Sequence, residues 1–155
     1  MSEKSKRYKL ALSVQYPDAR LQTEIARPMV RRWVQAALLA PAELTVRFVG
    51  ADEGRALNRD YRAKDYATNV LTFAYNEGEE LADDAPTVAD IILCTDVLQT
   101  EAAAQSKTVE EHTAHLIVHG VLHAQGYDHE DDEEAAEMEQ LERDILLALG
   151  YADPY

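Results

Sequence analysis

The sequence predicts a single domain, residues 1–155, of mixed α and β structure. Three observations carry this reading. The chain has 155 residues, a length that suits one hydrophobic core. Four short runs before residue 95 have the pattern of strands, and the last third has the pattern of helices. No repeat, low-complexity segment or linker divides the chain.

The elements follow in order. Tyr8, Leu10, Leu12, Val14 and Tyr16 alternate with mostly polar neighbours, as in a strand with one buried face, and Pro17 ends the run. Residues 24–39 carry Val30, Trp33, Val34, Ala37 and Leu38 on one helical stripe; Pro28 belongs in the first turn and Pro41 closes the segment. Leu44, Val46 and Phe48 alternate again as a second strand. Asp52 is a candidate N-cap for a short helix reaching Tyr61, with Gly54 a weak point inside it. Residues 70–75 and 90–94 read as two more strands, joined by the acidic stretch NEGEELADDAP, which reads as a surface loop. Thr95 or Asp96 can cap a helix reaching about Gln105. Thr108 opens the next helix, because TVEE has the spacing of a capping box. In that helix Leu116, Ile117, Val118, Val121 and Leu122 cover more than half the circumference, which predicts a central position. Gly126 is a natural left-handed stop. A final helix from about Asp131 shows Met138, Leu141, Ile145 and Leu149 on one face, and Gly150 and Pro154 end it.

The net charge is −14, and it is unevenly spread. Residues 1–75 hold thirteen Lys and Arg against eight Asp and Glu; residues 76–155 hold two against twenty-one. Overall acidity argues against non-specific binding to nucleic acid or anionic membranes. A local basic surface from the first half is still compatible with an anionic substrate. The nine acids among residues 130–144 read as a solvated helix face. No apolar run approaches the twenty or so residues needed to span a bilayer, and MSEKSKRYKL lacks the apolar core of a secretory signal. Cys94, the one cysteine, sits in the apolar run IILC and reads as a small core residue in a reducing compartment, the cytoplasm.

Residues 119–129, HGVLHAQGYDH, hold three of the five histidines. His119 and His123 are four apart on the predicted helix, so both imidazoles share a face with Cβ atoms roughly 6 Å apart. Their nitrogens can then meet one cation at about 2.0–2.1 Å. Gly126 breaks the helix, and His129 follows on the returning chain as a third candidate ligand. Three protein ligands leave a tetrahedral zinc one position for water, the arrangement of a catalytic rather than a structural site. Nickel, copper or iron suits the same nitrogens, and three histidines satisfied on the surface or in the core are the plain alternative. Gly120, lacking Cβ, permits another backbone to come close. It also stands where the protease pattern HExxH has its glutamate base, which weakens a peptidase reading. His115, one turn before His119, suits a supporting or packing role, and His112 has solvent exposure as its default. Asp128 suits either a turn or a bond to the second nitrogen of a ligand imidazole.

The segment HGVLHAQGYDH resembles the H-G-x-L-H-x-x-G-Y-D-H signature of the YbeY family, bacterial endoribonucleases of ribosomal RNA maturation. LNRDYRAKDYATNVLTF, residues 57–73, resembles the family's L-N-x-x-Y-R-x-K-D-x-x-T-[DN]-V-L-S-F segment. ADIILC, EEAAEMEQLE and the ending LALGYADPY fit as well, so the resemblance covers most of the chain. The departures are Ala124 for leucine, Tyr66-Ala67 for Lys-Pro, Ala74 for proline and Ala89-Asp90 for Gly-Asp; none falls on a signature histidine. The resemblance implies one α+β domain, with a small mixed four-stranded sheet, about five helices and a metal site at the end of a central helix. It implies that His119, His123 and His129 bind one ion, here expected to be zinc with a water in the fourth position. It also implies that Arg62 is the important arginine. The implied activity is metal-dependent cleavage of single-stranded RNA in 3′-end maturation of small-subunit ribosomal RNA and in ribosome quality control. Ribosomes or ribosomal proteins are the implied partners.

The residue types suit that chemistry. Phosphodiester cleavage builds negative charge on the non-bridging oxygens, which a divalent metal and a guanidinium stabilise. Arg62 can donate two parallel bonds to a phosphate, and Arg59 and Lys64 flank it as candidates for neighbouring phosphates. Either water or the RNA 2′-hydroxyl can serve as the nucleophile. Two other classes stay open: a zinc hydrolase of another bond such as a peptide, and a non-catalytic ribosome-assembly factor with a structural metal.

Overall fold

Four strands form one sheet: β1 (Leu10–Gln15), β2 (Ala42–Val49), β3 (Val70–Ala74) and β4 (Thr87–Cys94), in the order β1-β2-β4-β3. The structure, a computed structural model, describes residues 7–62, 68–75, 85–127 and 131–155, with Tyr61 and Arg62 described by their backbone alone. β1 and β4 both run parallel to β2, while β3 runs antiparallel to β4. Parallel neighbours need a crossover, and helix α1 (Arg27–Ala37) supplies the one from β1 to β2. Helices α2 (Ala51–Arg62), α3 (Thr95–Ala104), α4 (Val109–Ala124) and α5 (Asp132–Ala148) complete the domain. The mixed four-stranded sheet and five helices agree with the α+β reading of the sequence.

The two-residue period of the strands divides the core. Ala42, Leu44, Val46 and Phe48 of β2, with Ala89, Ile91 and Leu93 of β4, face the main core beneath α1 and α4. On the opposite face Val49, Leu71 and Ile92 form a smaller cluster, joined by Leu57 of α2. α1 contributes the predicted stripe, with Val30, Trp33, Val34 and Ala37 all buried. On the outer edge of β1, Arg27 Nε donates to Val14 O at 3.2 Å, and its guanidinium lies 5.1 Å from the Tyr16 ring centroid. A guanidinium placed there occupies a carbonyl that would otherwise invite another strand.

α4 is the central helix. Thr108 is its N-cap, and the capping box with Glu111 is formed in both directions. Nine of its residues are buried, and it packs against α1, α3, α5, β3 and β4. Its end is fixed by Gln125, whose Nε2 donates to Ala37 O at 2.8 Å and whose Oε1 accepts from Leu39 N at 2.7 Å. Gly126 then turns the chain at φ 105°, where a side chain would be strained.

Several boundaries differ from the sequence reading, each for a tertiary reason. α2 begins at Ala51, so Asp52 lies in its first turn; the free N–H of Ala51 goes to Asp96 Oδ2 at 2.8 Å, supplied by α3. α3 begins at Thr95 with Cys94 as N-cap and no side-chain cap, because Thr95 Oγ1 donates instead to Val49 O. His112, expected in solvent, is buried: its Nε2 lies 2.8 Å from Glu101 Oε1. On α5 the most buried line is Met138, Glu142 and Leu146, while Leu141, Ile145 and Leu149 flank it half-buried. Cys94 is buried and its thiol pKa is raised by that burial, the opposite of a reactive thiol. Among the described residues no helix is long and apolar enough to cross a membrane. Most of the acidic connection expected as a surface loop, residues 76–84, lies outside the described residues.

Candidate metal centre

Helical spacing places His119 and His123 side by side on α4, their rings within 6° of parallel and their centroids 6.5 Å apart. Each ring gives its Nδ1 to a group that can only accept. His119 Nδ1 lies 2.7 Å from Glu142 Oε2, and His123 Nδ1 lies 3.1 Å from the backbone oxygen of Tyr127. A carboxylate and a carbonyl have no proton to give, so Nδ1 carries the hydrogen in both imidazoles. The neutral ring then has its lone pair on Nε2 in both cases, the form in which histidine binds a metal. Two imidazoles sharing one tetrahedral ion at about 2.0–2.1 Å would have centroids roughly 5 Å apart, so the pair must close by about 1 Å to share one. The donor set fits a borderline cation such as zinc.

Glu142 is the feature the sequence reading missed. It belongs to the acid-rich stretch read as a solvated face, yet it is 0% exposed. Besides His119, it accepts from His115 Nε2 at 2.8 Å and from the Tyr155 hydroxyl, both on Oε1. Burial pushes the Glu142 carboxyl up, but hydrogen bonds from His115, His119 and Tyr155 outweigh it and hold the pKa at about 2. Burial and the neighbouring Glu142 charge raise the Tyr155 phenol. A carboxylate with three donors around it orients rings; it is poorly suited to taking protons at neutral pH. Helical spacing from Met138 and Leu146 puts Glu142 on the packed line of α5, a local signal that the many acids around it obscured.

The approach of α4 to the sheet depends on Gly120. A Cβ there would lie 3.2 Å from Ile91 Cγ2 and 3.3 Å from Thr72 Oγ1. The glycine thus admits side chains of β3 and β4 rather than the backbone the sequence suggested. A second, part-buried network ties the two motif segments together. Glu101 Oε1 accepts from Asn69 Nδ2 at 3.0 Å while facing His112, and Asn69 O accepts from Cys94 N. Asn69 belongs to the segment that carries Arg62, and His112 to the helix that carries the histidine pair.

Of the remaining candidates, Arg62 is the last residue of α2. Arg59 is exposed, with Nε 3.6 Å from Asp60 Oδ1, as a solvated surface charge would be. Lys64, Asp128, His129 and the Arg62 side chain lie outside the described residues. Among the described residues no group of three or more His, Cys, Asp or Glu side chains is placed to hold a metal ion. Two of the three predicted ligands are therefore described, and they stand together.

The family model described as Endoribonuclease YbeY matches residues 12–150. A relative from Herminiimonas arsenicoxydans named Endoribonuclease YbeY is 67% identical over 149 residues, covering 95% of this chain and 96% of its own. One of the same name from Janthinobacterium sp. (strain Marseille) is 71% identical over 147 residues, covering 95% of each. The solution structure of TM1509 from Thermotoga maritima shares the fold, with a TM-score of 0.53 at 21% identity over 92% of this chain and 97% of that one. With a family model matched over nearly its whole length and relatives at two-thirds identity or more, this chain belongs to the YbeY endoribonuclease family.

Proposed function

We propose that this protein is a zinc-dependent endoribonuclease that cuts single-stranded RNA during 3′-end maturation of small-subunit ribosomal RNA, and that it serves ribosome quality control in the cytoplasm. Membership of the family supports the endoribonuclease activity. The observation that carries the metal dependence is the His119–His123 pair, each ring with Nδ1 held by an acceptor and Nε2 in the ligating form. Nε2 of His119 and of His123 would hold the ion together with His129. Such an ion, when bound, supplies Lewis-acid stabilisation of charge on a phosphate oxygen.

The chain's own groups do the rest. Arg62 binds the scissile phosphate through two parallel N–H bonds and neutralises the charge that grows there in the transition state. Arg59 and Lys64 hold phosphates on either side. Glu142 keeps His119 turned and does not move a proton. A net charge of −14 disfavours capture of free RNA, so the ribosome or a ribosomal protein presents the strand.

The test is cleavage of a single-stranded RNA carrying the small-subunit 3′ end by contaminant-free protein, with and without chelator. Cleavage should vanish with chelator and return with zinc. Arg62→Ala should lose about 10²–10³-fold in rate while its metal content stays unchanged. Hydrolysis of peptides with RNA left intact would overturn the reading, as would metal-independent cleavage. A substrate with a 2′-deoxy group at the cut site separates the nucleophiles: continued cleavage assigns water, and loss assigns the RNA hydroxyl.

A further inference from the structure

Glu142 is an odd residue for its place. α5 carries acids on every exposed turn, with Asp132, Glu133, Glu134, Glu137 and Asp144 all in solvent, yet this one acid lies on the buried line between Met138 and Leu146. A buried carboxylate gains a domain little stability: an apolar side chain of the same volume is often neutral or better there. The geometry gives it another purpose. One oxygen, Oε2, is devoted to His119 Nδ1 at 2.7 Å, while the other is held by His115 Nε2 at 2.8 Å and by the Tyr155 hydroxyl. Tyr155 is itself kept in place by the Arg143 guanidinium, 5.2 Å from its ring centroid, and stands edge-on to the His115 ring. The carboxylate is thus clamped on one side and presents the other to a single imidazole nitrogen.

We propose that Glu142 is the positioning residue of the metal centre: it fixes His119 as the Nδ1–H tautomer with Nε2 facing the ion, and His115 and Tyr155 hold the carboxylate for that task. The inference rests on the metal reading of His119 and His123. It gives α5 a part in the site although α5 carries none of the proposed ligands. A histidine ligand whose other nitrogen is held by a carboxylate is more basic and pays less to be ordered on binding, and loss of such a partner typically weakens metal affinity 10- to 100-fold. His123 has a different holder for its Nδ1, the Tyr127 carbonyl.

The experiment uses the full chain, stripped of metal, in wild-type form and as Glu142→Gln and Tyr155→Phe. Long-range nitrogen–proton NMR reads the tautomer of His119, and zinc titration against a chelating indicator reads affinity. The wild type should show the Nδ1–H tautomer at His119 before any metal is added. Glu142→Gln can no longer accept on both oxygens; His119 should shift toward Nε2–H, and zinc affinity should fall 10- to 100-fold with the thermal transition still cooperative. Tyr155→Phe, at an exposed side chain, should weaken zinc several-fold with His123 unmoved. Added zinc should restore RNA cleavage to Glu142→Gln. A wild-type His119 in the Nε2–H form overturns the proposal whatever the variants do, and so does a folded Glu142→Gln that binds zinc as tightly as wild type. A wild type with the expected tautomer that binds no zinc instead removes the metal reading, so the two failures are distinct.

Discussion

Three donors converge on the Glu142 carboxylate, and their effect on stability has a definite sign. The carboxyl sits at about 2 in the folded chain, below its ordinary 4.5. A carboxylate with a depressed folded value adds stability that is fully present above the ordinary value and is lost as pH falls through the folded one. The metal-free wild type should therefore be more stable than Glu142→Gln near neutral pH, by about 1–3 kcal/mol for a buried charged network losing an acceptor. That margin should shrink as pH drops from about 5 toward 2. Urea midpoints of the two proteins at a series of pH values check it, and a margin that ignores pH in that window would contradict it. Single-residue chemistry of this kind was the least legible part of the sequence. The histidine spacing pointed to His119 and His123 because i, i+4 geometry is local. The part-buried His112–Glu101 pair and the partners of Glu142 depend on contacts between helices, and the sequence shows only that Glu142 stands four residues from both Met138 and Leu146.

At the scale of elements, local signals were legible where local groups decide. The capping box at Thr108 and the stripe on α1 stand as their spacing requires. The starts of α2 and α3 were not legible, since Asp96 reaches from α3 to Ala51 N and Thr95 is drawn to Val49 O. How α4 meets the sheet turns on Gly120, wedged over Ile91 and Thr72. The Ile91 methyl is fully buried and has nowhere to go, so a larger side chain must lift the helix. Gly120→Val should destabilise the domain by about 1–3 kcal/mol, read as a fall of several degrees in Tm. It should also weaken zinc binding, because the histidines on either side of position 120 move with the helix. A Tm equal to wild type would refute the close packing described.

For the whole molecule, the fold class was open to reading because alternation and helical stripes sort the elements before any contact forms. Strand order was not: only pairing shows β4 between β2 and β3, with β3 reversed. That order sets β3 and β4 beneath α4, while α5 flanks the helix and supplies the carboxylate. The strongly acidic second half of the chain contains both the histidine helix and α5, and the basic residues are concentrated in the first half.

Binding of one zinc by three histidines is tested most directly by elemental analysis of the full chain and of His119→Ala, His123→Ala and His129→Ala, each purified without chelator and dialysed against metal-free buffer. One ion per wild-type chain is expected, and well under one in each variant, with all three still folded. A wild type that holds no ion, or variants that retain a full one, would contradict it.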